Sequence, residues 1–163
     1  MFQHWIVRDR DVARSLDNLI GLLSPVGATA FLGAHMGPYL SRRAKERFES
    51  EGDDVSGVWA PLKPVTIQMR HAQGFEAGPI NRRTGELENW VVRGGWNAYP
   101  TALGASMQYP AKKPAGELRK KVQTAQKGKE YPNTVARPVL GVNEADLIFF
   151  QTSLMFAVGE AMR

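Results

Sequence analysis

The chain contains no cysteine. That absence removes a disulfide framework, a thiolate metal site and a cysteine nucleophile together. Histidine is scarce as well: His4, His35 and His71 lie far apart, no HExxH or HxH pair is present, and structural or solvent-facing roles are expected for all three. Loops that cradle phosphates or present a nucleophile are missing too, since there is no GxGxxG behind a strand, no GxxxxGK loop and no GxSxG elbow. No stretch approaches the roughly 20 consecutive apolar residues of a membrane span. The start, MFQHWIVRDRD, has neither the charged opening nor the apolar run of a secretory signal, so a soluble chain without membrane contact is expected.

What remains for chemistry is thin. Asp53 and Asp54 offer carboxylates to a cation, yet adjacent acids behind a helix-stopping glycine read first as a solvated turn. Thr84-Gly85-Glu86 reads as a turn feeding a strand. Neither pattern gathers acid, base and nucleophile, so an enzyme is not expected, nor a cofactor or a metal.

With 163 residues, 43% apolar and 23% charged, the chain is long enough to bury a sizeable core and reads as one domain spanning 1–163. The net charge of +5 is local. Lys112, Lys113, Arg119, Lys120, Lys121, Lys127 and Lys129 face only Glu117 and Glu130 between Lys112 and Tyr131, and this stretch carries the whole excess. Pro110 and Pro114 open it and only Leu118 and Val122 are large and apolar, so residues 109–131 read as an exposed basic arm or long hairpin, with a helical turn near Gly116 to Gln126. Lysines in such an arm suit DNA phosphates, but no aromatics are interleaved to stack on bases, and a neighbouring subunit suits the arm equally.

Helical periodicity is plain at the N-terminus, where Val12, Leu16, Leu19, Ile20 and Leu23 form one stripe over Asp9 to Leu23 and Ser24-Pro25 ends it. A second helix is expected over Thr29 to Glu51, kinked or split at Gly37-Pro38, with Phe31, Ala34, Ala44 and Phe48 inward. Arg42, Arg43, Lys45, Glu46, Arg47 and Glu49 make its solvated end. Trp59 anchors an extended, proline-bounded segment, and Pro64 to Ala72 is expected as a short helix. Trp90-Val91-Val92 reads as a strand and Gly94-Gly95 as a hairpin turn returning through Trp96 and Tyr99.

At the C-terminal end Asn143 caps a helix with Glu144 and Asp146 in its first turn. Leu147, Ile148, Phe149, Phe150, Leu154, Met155, Phe156 and Val158 cover nearly its whole circumference, and Leu147 to Gly159 holds no charge. A helix apolar all round needs burial on more than one side. Self-association through these eight residues is therefore expected.

Three patterns, in order, resemble the phage virion-morphogenesis family, which includes tail-completion proteins. Arg47-Phe48 leads through Glu51-Gly52-Asp53 to Trp59-Ala60-Pro61-Leu62-Lys63-Pro64. Ile80 to Leu87 contains the Thr84-Gly85-x-Leu87 turn. Ala136-Arg137-Pro138-Val139-Leu140-Gly141-Val142 enters the last helix. The resemblance rests on Trp59, Pro61, Leu62, Thr84, Gly85, Leu87, Arg137, Pro138 and Gly141 as structural motif residues. Between Trp96 and Tyr131 the sequence departs from the family pattern.

The resemblance implies an α+β subunit with N-terminal helices, a small antiparallel sheet and a C-terminal helix. It implies a virion protein without catalytic activity, forming a homo-oligomeric ring, a hexamer by analogy with tail symmetry. That ring would sit at the neck or tail end, in tail completion, tail termination or head–tail joining, against other neck, tail or connector proteins and with DNA in its channel. A stand-alone basic nucleic-acid-binding protein and a transient assembly factor not retained in the virion are the competing readings.

Overall fold

A computed structural model of the protein describes residues 9–54, 56–102, 104–128 and 135–163. It is α+β. In chain order the helices are α1 (Asp9–Leu23), α2 (Pro25–Phe31), α3 (Gly37–Glu49), α4 (Pro64–Ala72), α5 (Glu86–Arg93), α6 (Gly116–Lys127) and α7 (Glu144–Ala161). Strands β1 (Gly52–Asp53) and β2 (Gly57–Val58) pair as one small antiparallel ladder, and β3 (Asn97–Thr101) and β4 (Gly104–Gln108) as another. His4 and Lys129 lie outside the described residues.

The helix boundaries follow local chemistry. Ser24 stops α1 and caps α2, its hydroxyl accepting from the Gly27 amide at 3.1 Å while Pro25 fills the first turn. From there the chain stays helical to Glu49, beginning four residues earlier than the periodicity indicates. Gly37-Pro38 leaves its mark as a π-helical turn over Leu32–Met36, because proline cannot donate to the preceding turn. Gly37 also meets Trp96: a Cβ there would sit 2.2 Å from the indole ring, so glycine lets the start of the β3–β4 hairpin press on α3.

The core joins α3, α5 and α6 with the extended segments between them: Ala44 and Phe48, Trp59, Ile80, Leu87 and Val91, Val122 and Ala125, and Val139. Phe48 and Trp59 meet edge to face at 5.4 Å. The hairpin lies away from this cluster, packed on α2 and the π-turn.

Several expectations need correction. Trp90-Val91-Val92 belongs to helix α5, not a strand. Gly85 at φ +67° turns the chain, Glu86 and Glu88 favour the helix start electrostatically, and Leu87 and Val91 fall one turn apart on the buried face. Burial there overrides the strand preference of the individual residues. Gly94 consequently ends a helix, and the hairpin turn falls further on, between Thr101 and Gly104. Residues 116–127 are a complete docked helix rather than an arm, because Val122 and Ala125 suffice to bury one face against α5.

The end of α3 is not wholly solvated either. Arg47 is 2% exposed, with Nε 2.7 Å from an Asp53 carboxylate oxygen and Nη1 donating to the Val139 carbonyl at 3.1 Å. Asp53 is thus a buried ion-pair partner, not part of a solvated turn.

Candidate assembly surface

Helix α7 is fixed at its first turn. The Asn143 side chain accepts from the Asp146 amide at 2.8 Å and the Asp146 carboxylate accepts from the Asn143 amide at 2.9 Å, a reciprocal cap. The other Asp146 oxygen accepts from the Tyr39 hydroxyl at 2.5 Å and from Arg43 Nε at 3.2 Å. Arg43 continues to Asp54 at 2.5 Å, and Asn143 also donates to Asp54. This network bolts the helix start to α3.

The charges are mutually supporting. Burial, reinforced by the hydrogen bond to Asp146, pushes the Tyr39 phenol up to about 12. Burial works against ionisation of Asp53, but hydrogen bonds from Arg47 and Ser56 outweigh it and hold the carboxyl below its usual range. Arg43 does the same for Asp54 and is itself held above the ordinary arginine value, chiefly by that hydrogen bond.

Beyond the first turn the helix has two unlike sides. Phe149 stacks on Tyr39 at 4.0 Å and Phe150 meets the same ring edge-on at 5.6 Å, so Asp146, Phe149, Phe150 and Ser153 form the inward stripe at helical spacing. Leu147, Ile148, Leu154, Met155 and Phe156 point away and are exposed, Met155 at 74% and Phe156 at 68%. Val158 is half-buried. Of the eight apolar residues singled out in the sequence, two are engaged with Tyr39 and five face outward. Asp146 is the one residue of α7 that is fully buried, so among the described residues a largely apolar helix is left mostly uncovered.

Sequence reasoning missed the companion surface. Helix α1 packs on α7, with the Ser15 hydroxyl donating to the Met162 carbonyl at 3.0 Å, yet Val12, Leu16, Ile20 and Leu23 stay exposed. A regular amphipathic stripe signals an apolar face but not what covers it, and among the described residues α2 and α7 are the elements that pack closely on it.

The motif residues build a clasp. The Trp59 indole donates to the Pro138 carbonyl at 3.1 Å, and Arg137 returns the grip through Nε to Ala60 at 2.7 Å and Nη2 to Pro61 at 3.0 Å. Gln126 accepts from the Val139 amide at 2.9 Å and donates to the Leu140 carbonyl at 3.1 Å. Leu87 is buried, Leu62 packs on the core, Gly85 supplies the turn, and Thr84 and Gly141 lie at the surface of neighbouring hollows. The three motif segments, far apart in sequence, therefore meet as structural supports for the entry to α7.

The basic cluster divides. Lys112 and Lys113 are exposed ahead of α6, and the Lys112 carbonyl accepts from the Trp90 indole at 2.8 Å. Arg119, Lys120, Lys121 and Lys127 ride on α6, where Lys120 pairs with Glu117 at 2.6 Å and Lys121 with Glu86. His35 lies beside the Phe31 ring at 4.8 Å and His71 is exposed at the end of α4. Among the described residues no single helix is long and apolar enough to cross a membrane.

The fold is α+β, and the motif residues hold the entry to a helix whose apolar side chains are largely exposed among the described residues. The chain is a member of the phage virion morphogenesis family, whose family model matches residues 7–155. No curated protein and no solved structure matches it. Membership gives the chain a part in building the phage particle.

Proposed function

We propose that the protein is a structural, non-enzymatic subunit of a tailed-phage virion that self-associates into a ring, a hexamer, at the neck or tail end, in tail completion, tail termination or head–tail joining. The observation that carries the reading is the outward row Leu147, Ile148, Leu154, Met155 and Phe156, adjoined by the exposed stripe of α1. Exposed large apolar side chains gathered on two packed helices are costly in water and mark an interaction site. A ring needs a surface that repeats from one copy to the next, and the fixed first turn of α7 holds that surface rigidly.

Neighbouring neck, tail or connector proteins are the expected further partners, with the basic residues of α6 available to DNA in the channel or to an adjacent subunit. Negative-stain electron microscopy of the purified chain, with immunogold labelling of intact particles, tests the proposal. Rings in solution and label at the neck or tail end are expected. Isolated single copies together with unlabelled particles would overturn it.

A further inference from the structure

A hollow of about 410 Å³ opens between α4, the Thr84 turn and α6, on different elements from the apolar row of α7. Its walls bring together Arg70, Arg83 and Arg137 with Lys120 and Lys121, the two lysines held at the surface in exposed, weak pairs with Glu117 and Glu86. Among the described residues none of the three guanidiniums has a carboxylate within ion-pair distance. Arg70 and Arg137 are 6% and 9% exposed and donate to backbone carbonyls, Arg70 to Ala77 and Pro79 at 3.2 and 3.0 Å.

Burial, then the neighbouring charges of Arg83 and Arg137, hold Arg70 below the ordinary arginine range against the opposing pull of Glu51. Arg83 remains exposed, with its guanidinium 5.5 Å above the Phe75 ring. Like charges gathered this closely repel, and an anion among them relieves the repulsion.

The lining is mixed: Leu62, Met69, Leu87 and Val135 contribute apolar surface beside the polar Thr66, Asn81, Thr84 and Thr124. A DNA backbone offers phosphates but nothing to match the apolar part, whereas a peptide offers carboxylates and apolar side chains together. We propose that this groove docks an acidic, leucine-type peptide segment of another protein, its carboxylates on Arg83, Lys120 and Lys121 and its apolar side chains against Met69 and Leu87. The family motifs thus have a second consequence: by setting Arg137 and the Thr84 turn in place, they form the walls of this site.

The test uses the full chain and fluorescence anisotropy with three probes: a short peptide rich in glutamate and leucine, polyglutamate, and duplex DNA. The expected result is that the mixed peptide binds most tightly, that Arg83→Glu with Lys120→Glu weakens it about tenfold or more, and that Met69→Ser weakens the mixed peptide but not polyglutamate. Arg83, Lys120 and Met69 are all exposed, so the variants retain the fold, which circular dichroism checks. Tighter binding of DNA, equal binding of both peptides, or indifference of the mixed peptide to Met69→Ser would overturn the proposal. So would loss of self-association in the charge-reversed variant, since the occupant would then be a second copy. Failure of these binding tests leaves self-association through α7 intact, so the two readings stand or fall separately.

Discussion

The Tyr39 hydroxyl donates to the Asp146 carboxylate across 2.5 Å, while the Tyr39 ring stacks on Phe149 one turn along the same helix. One side chain of α3 therefore sets both the start of α7 and its rotation about its axis. That rotation decides which residues face outward, so the apolar row is presented by this contact.

The two halves of the contact separate by mutation. Tyr39→Phe keeps the stacking and removes one hydrogen bond from a carboxylate still held by Arg43, and is expected to cost about 1 kcal/mol. Asp146→Ala removes the reciprocal cap and leaves Arg43 with one fewer counter-charge, at a cost of about 3 kcal/mol. Urea unfolding followed by circular dichroism measures both. Equal losses would show that the cap contributes little.

Stability should fall at both ends of the pH scale for different reasons. Asp53 ionises below its usual 3.8 in the folded chain, so its contribution is present above about that pH and is lost as pH falls through the lowered folded value. Tyr39 behaves oppositely, since its phenol rises from 10.0 to about 12 on folding. Its contribution is complete below pH 10 and is lost as pH climbs towards 12. Unfolding midpoints across pH are expected to show a shallower acid slope in Asp53→Asn and a shallower alkaline slope in Tyr39→Phe.

Arg137 should be structural. Replacing it with methionine keeps much of the volume but leaves the Ala60 and Pro61 carbonyls without their charged donor, for an expected loss of about 2–3 kcal/mol. Thermal unfolding of Arg137→Met checks this, and an unchanged midpoint would show that water replaces the clasp.

Gly37→Ala probes the seat of the hairpin. The added methyl group would overlap the Trp96 ring, so Trp96 must leave α3 and a loss of about 1–3 kcal/mol is expected. Tryptophan fluorescence should shift to the red as the indole meets water. A silent substitution would mean that the ring moves aside without cost.

Much of this was legible in the sequence because the signals were local. The stripe of α1, the Ser24-Pro25 break and the Asn143 cap each lie within a few residues of the feature they specify. Arg47 was not legible: its buried partner Asp53 lies across a turn, and charge spacing along the helix gives the same pattern whether or not the chain folds back. Helix α5 was hidden by the strand preference of Trp90-Val91-Val92, which yields to the burial of Leu87 and Val91. The helical turn near Gly116 to Gln126 was legible, but its docking as α6 was hidden by its poverty in large apolar residues. Nor does the sequence place Arg70 and Arg137 in one groove, since their partners are carbonyls of distant loops, and backbone groups carry no residue-specific signal.

Sedimentation equilibrium of the wild-type chain beside a Met155→Asp, Phe156→Asp double variant addresses self-association through α7 most directly. Both side chains are largely exposed, so the variant should stay folded. A multimeric wild type and a monomeric, folded variant are expected. A wild type that remains monomeric at high concentration, or a variant that assembles as the wild type does, would contradict the account.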